Sequence, residues 1–282
     1  MSGTRLDIAL EQLQPELSRA SVQKLIKMKK VSVNGAVIEK PSYKISESDE
    51  IDFSLPEDEI LEIELPIIYE DDDCVVIEKP VGLLTHSKGT FNPEATVETW
   101  LRPRTKGFDD SDRSGIVHRL DRATSGVMIC AKNPEALSWL QKQFSTRKVK
   151  KTYLAVIEGS LKTPEALIDM PIERNPKQPQ RFRVGHNGKP AQTYYKVIKE
   201  FESKDDLYSL VELKPTTGRT HQLRVHLNYL KKPILGDEFY DGKKANRLYL
   251  HAHELEITMP SKERKVFSSK MPKDFLSPGL DK

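Results

Sequence analysis

At 282 residues the chain can bury a full core, and at about one domain per 150 residues it should divide into about two units. Its 37% hydrophobic and 31% charged residues exclude a disordered chain and suit a globular protein with a heavily charged surface. A net charge of +3 does not by itself argue for nucleic acid, and no apolar run is long enough to cross a bilayer.

The start MSGTRLDIALEQLQ lacks the apolar core of a secretory signal, so a cytoplasmic location is expected. Within it Leu6, Ala9, Leu10 and Leu13 recur at helical spacing, and Pro15 closes the run. A second helix should start at Ser18 as cap and bury Val22, Leu25 and Ile26, leaving Gln23, Lys24 and Lys27 facing outward. In VSVNGAVI, two β-branched runs flank Asn34-Gly35, the pair that a tight primed turn needs because both central residues take positive φ.

Arg5, Arg19, Lys24, Lys27, Lys29, Lys30, Lys40 and Lys44 load this segment, whereas Glu47 to Asp73 is acidic. The order helix, helix, hairpin beside these lysines resembles the small RNA-binding module named for ribosomal protein four of the small subunit. That resemblance implies an S-four-like domain over 1–60, with Arg19, Gln23, Lys24, Lys27 and Asn34 on its RNA-facing surface. The plainer alternative is that the lysines only solvate a helix face.

Residues 55–66, LPEDEILEIELP, read as an acidic linker between prolines. Beyond it IIY, CVVIE, VMICA, TYLAVIE, TYYKVIKEF and LYSLVEL are short runs rich in β-branched and aromatic residues, hence strands. One helix should begin at Asn133-Pro134-Glu135 and carry Leu137, Leu140 and Phe144; another should begin near Thr220 and carry Leu223, Leu227 and Leu230. The expected fold class is α+β, a mixed, mostly antiparallel sheet with flanking helices over 61–282. Cys74 and Cys130 lie in strand-like runs as small buried thiols and receive no chemistry.

In HRLDRATSG, Asp121 stands between Arg119 and Arg122 on a loop pinned by the strand that follows. A carboxylate beside cations is ionised at neutral pH, available as nucleophile or base and not as an acid. A structural ion pair, or an Asx turn on Asp121 and Thr124, would explain the nonapeptide equally well.

HRLDRATSG, the KPVGL segment, KKTYLAVIEG and KPTTGRTHQLRVHL, in this order, resemble the RluA-type pseudouridine synthases that modify large-subunit ribosomal RNA. The resemblance runs from about Ile67 to LYLHAHELEITMP and departs at THSKG, where relatives often have His-Pro, leaving His86 without a role. It implies a pseudouridine synthase catalytic domain that isomerises uridine within RNA, with 23S-type ribosomal RNA as target, as a monomer with no cofactor and no metal. By position it makes Asp121 the nucleophile, Tyr153 the aromatic that stacks on the target uracil, and Arg224 the partner of the aspartate. Arg119 becomes the residue that enters the stack when the uridine leaves it, and Arg219 joins the RNA-binding residues.

Physical chemistry supports these roles. Extruding a stacked uridine costs a few kcal/mol, a flat guanidinium can fill the vacancy, and an aromatic face returns about 1–3 kcal/mol per stacked base. A bidentate arginine would fix the direction of Asp121. Arg224, between Leu223 and Val225, is poorly placed for full exposure. Tyr153 has a plain alternative as a core aromatic.

Three rival readings stand beside this one. His221, His226, His251 and His253 could be imagined as a zinc cluster, but their spacing fits no zinc signature and no Cys-x-x-Cys pair accompanies them. The expectation is that His221 and His226 pack on a helix while His251 and His253 share one face of a strand. The second rival is a non-catalytic RNA-binding ribosome-assembly factor, and a transfer RNA target is the third possibility.

Overall fold

The computed structural model describes residues 3–56, 63–86, 94–108, 115–203 and 205–279. The chain packs as two units, the first running from the N-terminal region to Glu62 and the second from Ile63 onward, less the segment Ser87–Ala95.

In the first unit β1 (Thr4–Arg5) leads into α1 (Leu6–Leu13), and α2 (Arg19–Lys27) follows after a turn. Ser18 caps α2, its hydroxyl oxygen accepting the Ser21 N–H at 3.2 Å. Leu6 and Leu10 meet Val22, Leu25 and Ile26 over β2 (Val31–Val33), β3 (Ala36–Val37), β4 (Lys44–Ile45) and β5 (Ile51–Phe53). Asn34 and Gly35 take φ of 52° and 78°, which makes the β2–β3 connection the expected primed turn. Burying each of these Leu, Ile and Val side chains contributes about 1.5–3 kcal/mol, the main force holding so small a unit together.

Nine strands form one sheet in the described part of the second unit. They are β6 (Ile67–Glu70), β7 (Cys74–Lys79), β8 (Ser125–Ala131), β9 (Lys150–Glu158), β10 (Glu165–Asp169), β13 (Gln192–Ser203), β14 (Asp206–Pro215), β15 (Leu250–Thr258) and β16 (Arg264–Ser268). Their order is β10-β13-β14-β9-β15-β8-β7-β6, with β16 paired to the far end of β15. Only the contact of β15 with β8 is parallel within this sheet. A separate pair, β11 (Ile172–Arg174) and β12 (Phe182–Val184), forms a hairpin.

The helices are α3 (Val97–Leu101), α4 (Pro134–Ser145) and α5 (Gln222–Tyr229). Asn133 caps α4, accepting the Ala136 N–H at 2.8 Å, and Leu140 is fully buried beneath it. The sequence-based start of α5 at Thr220 is two residues early: His221 takes a left-handed conformation (φ 56°), so the first helical residue is Gln222. Of the acidic segment 55–66, residues 57–62 lie outside the described part, and Leu65 is buried in the core of the second unit.

The register of β15 places the site. Ala252 pairs with Tyr153 on one side and with Gly126 on the other. At Gly126 (φ +117°) a Cβ would lie 2.1 Å from the Ala252 carbonyl oxygen, so only glycine permits the approach. Tyr153 and the end of the Asp121 loop are thereby held about two strand spacings apart, roughly 10 Å.

Candidate active site

The loop that carries Asp121 is fastened from beneath by the KPVGLLT segment. Thr85 Oγ1 donates to the Leu120 carbonyl at 2.9 Å and accepts the Leu120 N–H at 3.3 Å. The Gly82 N–H donates to the Arg122 carbonyl (2.8 Å), and Arg122 Nε donates back to the Gly82 carbonyl (2.9 Å). Below these, the fully buried Lys79 donates to the carbonyls of Pro80 and Leu83, both at 2.8 Å, and of Arg122 at 3.4 Å. The Asp121–Thr124 turn is closed by backbone, Thr124 N–H to the Asp121 carbonyl at 3.0 Å. The Asp121 carboxylate lines a cleft of about 590 Å³, a size suited to a small molecule or one nucleotide.

Arg119, Asp121, Tyr153, Arg219, His221 and Arg224 line this one cleft. Arg224 is 8% exposed and brings Nη1 to 3.5 Å from Asp121 Oδ2. The bidentate pair expected between them is not formed. Arg224 directs its fork at Asp237, Nε to Oδ2 at 2.7 Å and Nη2 to Oδ1 at 2.6 Å, and reaches Asp121 with its remaining nitrogen. Burial works against the Arg224 charge, but the hydrogen bonds and charge of Asp237 outweigh it and raise the pKa.

His221 corrects a second expectation. It does not pack away on the helix; its Nε2 lies 3.8 Å from Asp121 Oδ2 and its Nδ1 2.8 Å from the Tyr240 hydroxyl. His226 does pack inside, fully buried between the Thr193 hydroxyl and the Met170 carbonyl. His251 and His253 both reach the Ser269 carbonyl, with rings 6.5 Å apart. Among the described residues no group of three or more His, Cys, Asp or Glu could hold a metal ion.

Tyr153 is half-buried where the two apolar clusters of the sheet meet. Burial, with the Asp121 charge, raises its hydroxyl pKa, so the ring is neutral at physiological pH. Arg119 is exposed at the cleft, Nη1 3.5 Å from His86 Nε2. Arg219 is held by Nε donating to the Pro190 carbonyl at 3.0 Å. Its loop is fixed by Gln222, whose Oε1 accepts from the Thr217 hydroxyl at 2.6 Å and the Arg219 N–H at 3.0 Å.

Three residues in or beside the site receive no role from the sequence. Asp237 belongs to no charge pattern; its signal is a lone Gly-Asp after Pro-Ile-Leu. Lys151 lines the cleft with Nζ donating to the Thr217 carbonyl at 3.3 Å, and burial pushes its pKa down to about 8. Lys79 is a cation ending an apolar strand before a proline, a pattern that favours an exposed strand end.

In the first unit Lys27 is exposed and Lys24 half-exposed, as expected of a solvent-facing stripe. Gln23 is not turned outward: its Nε2 donates to the buried Asp7 at 2.7 Å, and Arg19 donates to the same carboxylate at 3.2 Å. Asn34 uses its amide to tie its hairpin to the residues before β5, donating to Asp49 at 2.8 Å and accepting the Glu50 N–H at 2.9 Å.

Residues 73–229 match the RNA pseudouridylate synthase family model, and residues 4–51 match the S4 domain. The chain is 39% identical over 249 residues to an uncharacterized RNA pseudouridine synthase of Aquifex aeolicus, covering 86% of this chain and 78% of that one. It is 41% identical over 240 residues to ribosomal large subunit pseudouridine synthase D of Borreliella burgdorferi, covering 82% and 71%. Among solved structures it is similar to human RNA pseudouridylate synthase domain containing 1, with a TM-score of 0.63, 30% identity, and coverage of 78% of this chain and 91% of that one.

Proposed function

The chain belongs to the RNA pseudouridylate synthase family, and from that premise we propose that Asp121 is its nucleophile and large-subunit ribosomal RNA its substrate. The observation that carries the reading is the convergence of Asp121, Arg224 and Tyr153 on one nucleotide-sized cleft, from segments far apart in the chain. In the overall reaction the N1–C1′ bond of uridine breaks, a C5–C1′ bond forms, and the C5 proton moves to solvent as N1 gains one. Atoms balance without a redox step.

Each side chain has a place in that sequence. Arg119, exposed at the rim, fills the stack that the uridine leaves. Tyr153 receives the extruded base on its ring. Arg224, braced by Asp237, and the clamped loop hold the Asp121 carboxylate in one direction, which keeps the entropy of alignment out of the chemical step. The N-terminal unit adds affinity for the RNA through Lys24 and Lys27, acting with a monomeric catalytic unit in the cytoplasm. The ribosomal target is supported by the name of the Borreliella burgdorferi relative.

A pseudouridine map of ribosomal and transfer RNA, with and without this chain, tests both parts. The expected result is loss of one or more sites in large-subunit ribosomal RNA, restored by wild-type protein and not by Asp121→Asn, which still binds RNA. Equal turnover by Asp121→Asn would remove the nucleophile assignment, and lost sites confined to transfer RNA would remove the substrate assignment.

A further inference from the structure

Two groups converge on the same oxygen of the proposed nucleophile. Arg224 Nη1 lies 3.5 Å and His221 Nε2 3.8 Å from Asp121 Oδ2. The imidazole cannot turn away, because three aromatic rings meet it edge-on: Phe182 at 5.9 Å and 80°, Phe239 at 5.7 Å and 84°, and Tyr240 at 5.6 Å and 84°. Its left-handed backbone, with φ 56°, sets the side chain at the very entrance of α5.

The proton on that ring can be assigned from its neighbours. Tyr240 Oη accepts the Phe182 N–H at 3.1 Å and lies 2.8 Å from His221 Nδ1. With the proton on Nδ1, the Nε2 lone pair would face a carboxylate across 3.8 Å. With the proton on Nε2, the Tyr240 hydroxyl donates to Nδ1 and the Nε2–H dipole points at Asp121, so both contacts are favourable.

We propose that His221 is a positioning residue for Asp121: a neutral imidazole protonated at Nε2, its tautomer set by Tyr240, which with Arg224 holds Oδ2 and presents Oδ1 to the nucleotide. The inference rests on the reading of Asp121 as nucleophile. At 3.8 Å the contact is electrostatic, longer than a hydrogen bond.

The surroundings favour the neutral ring. Burial lowers the His221 pKa; Asp121 and Asp237 oppose this, and Arg224 and Arg119 reinforce it. On the hairpin side the guanidinium of Arg181 lies over the rings of Phe239 and Tyr240, at 5.4 and 5.9 Å. A charged imidazolium would form a tighter pair with Asp121 and dull it as a nucleophile, whereas a neutral donor orients it.

The test compares His221→Gln, whose amide N–H can stand where Nε2–H does, with His221→Leu, which has none. Single-turnover rates and RNA affinity are measured for both, and the ¹⁵N imidazole spectrum is recorded for wild type and Tyr240→Phe. The expected result is a rate lower by about 10- to 100-fold for His221→Leu with RNA affinity within about twofold, and substantial recovery for His221→Gln. Wild type should show the proton on Nε2 at neutral pH, and Tyr240→Phe a mixture of tautomers.

Equal losses in the Gln and Leu variants, a wild-type rate for His221→Leu, or a spectrum showing Nδ1–H or imidazolium would overturn the proposal. The spectrum needs no variant to fold. An active Asp121→Asn would instead defeat the underlying nucleophile reading, while an inactive Asp121→Asn beside an unimpaired His221→Leu would defeat the positioning role alone.

Discussion

Arg224 grips Asp237 with two nitrogens, at 2.7 and 2.6 Å, and reaches Asp121 with the third at 3.5 Å. One guanidinium thus joins a structural carboxylate to the proposed nucleophile, and the stronger contact is the structural one. The fork sets the plane of Arg224, and the plane sets where Nη1 stands.

Asp237 should therefore matter to the rate without touching RNA. Asp237→Asn keeps the shape but weakens the fork, and the rate constant at saturating RNA should fall about 10- to 100-fold with KM little changed. Asp237→Ala leaves a buried guanidinium half-paired and should also lower stability by about 3 kcal/mol. Thermal unfolding and single-turnover kinetics on the same preparations separate the two effects, and an unchanged rate in Asp237→Asn would show that Asp121 is aimed without it.

Tyr153 offers its ring at the junction of the two apolar clusters, and burial together with Asp121 keeps its hydroxyl protonated through mildly alkaline pH. On the proposed role Tyr153→Phe preserves the stacking face, whereas Tyr153→Leu should forfeit about 1–3 kcal/mol of base stacking. The expected order of single-turnover rates is wild type, Phe, then Leu, with the larger step at Leu. A Phe variant as slow as Leu would move the essential function from the ring to the hydroxyl.

What could be read in advance follows the reach of each signal. The Ser18 cap, the Asn34-Gly35 turn and the Asn133-Pro134 helix start are local chemistry, and the structure places each where the residues put it. Asp121, Arg224 and Tyr153 were legible as motif residues, but their mutual geometry was not. Arg224 turns to Asp237, thirteen positions away, because a 3-10 turn at Glu238–Tyr240 brings that carboxylate within reach, and no periodicity encodes such a turn. The sequence assigns His221 to packing on the helix, yet its left-handed backbone places it before the helix and into the cleft. Gln23 was assigned to solvent from the helical stripe; a buried aspartate on the preceding helix claims it.

That aspartate gives the N-terminal unit an acid sensitivity. Asp7 is fully buried and accepts from Arg5 at 2.8 and 3.0 Å, Gln23 at 2.7 Å and Arg19 at 3.2 Å. These partners, Arg5 first, hold its pKa well below the ordinary carboxylate range against the opposing effect of burial. Because the folded value is the lower one, the stability it contributes is complete above about pH 4, the unfolded value, and fades as pH falls toward the folded value. Asp7→Asn should lose about 1–3 kcal/mol of protection in α1 and α2 at neutral pH and show a flatter loss below pH 4. Amide hydrogen exchange on the full chain reads this directly, and identical acid profiles for the two proteins would exclude the mechanism.

Lys79 gives the catalytic unit the opposite signature. Its ammonium is fully buried beneath the Asp121 loop, donating to three carbonyls, and burial pushes its pKa from 10.5 down to about 8, with Asp121 opposing and Arg122 assisting. Between these two values the unfolded chain holds the proton that the folded chain has released. Folding stability from this residue therefore rises with pH from about 8, is fully present above about 10.5, and is lost as pH falls back through about 8. At about 1.4 kcal/mol per pH unit the span is about 3 kcal/mol. Lys79→Met removes the titration while filling the same space, so the difference in unfolding free energy, wild type minus variant, should climb by about that amount between about pH 8 and pH 10.5, the two pKa values. Denaturant unfolding across this range measures it. A flat difference curve would mean that Lys79 stays protonated, its three carbonyl acceptors outweighing its burial.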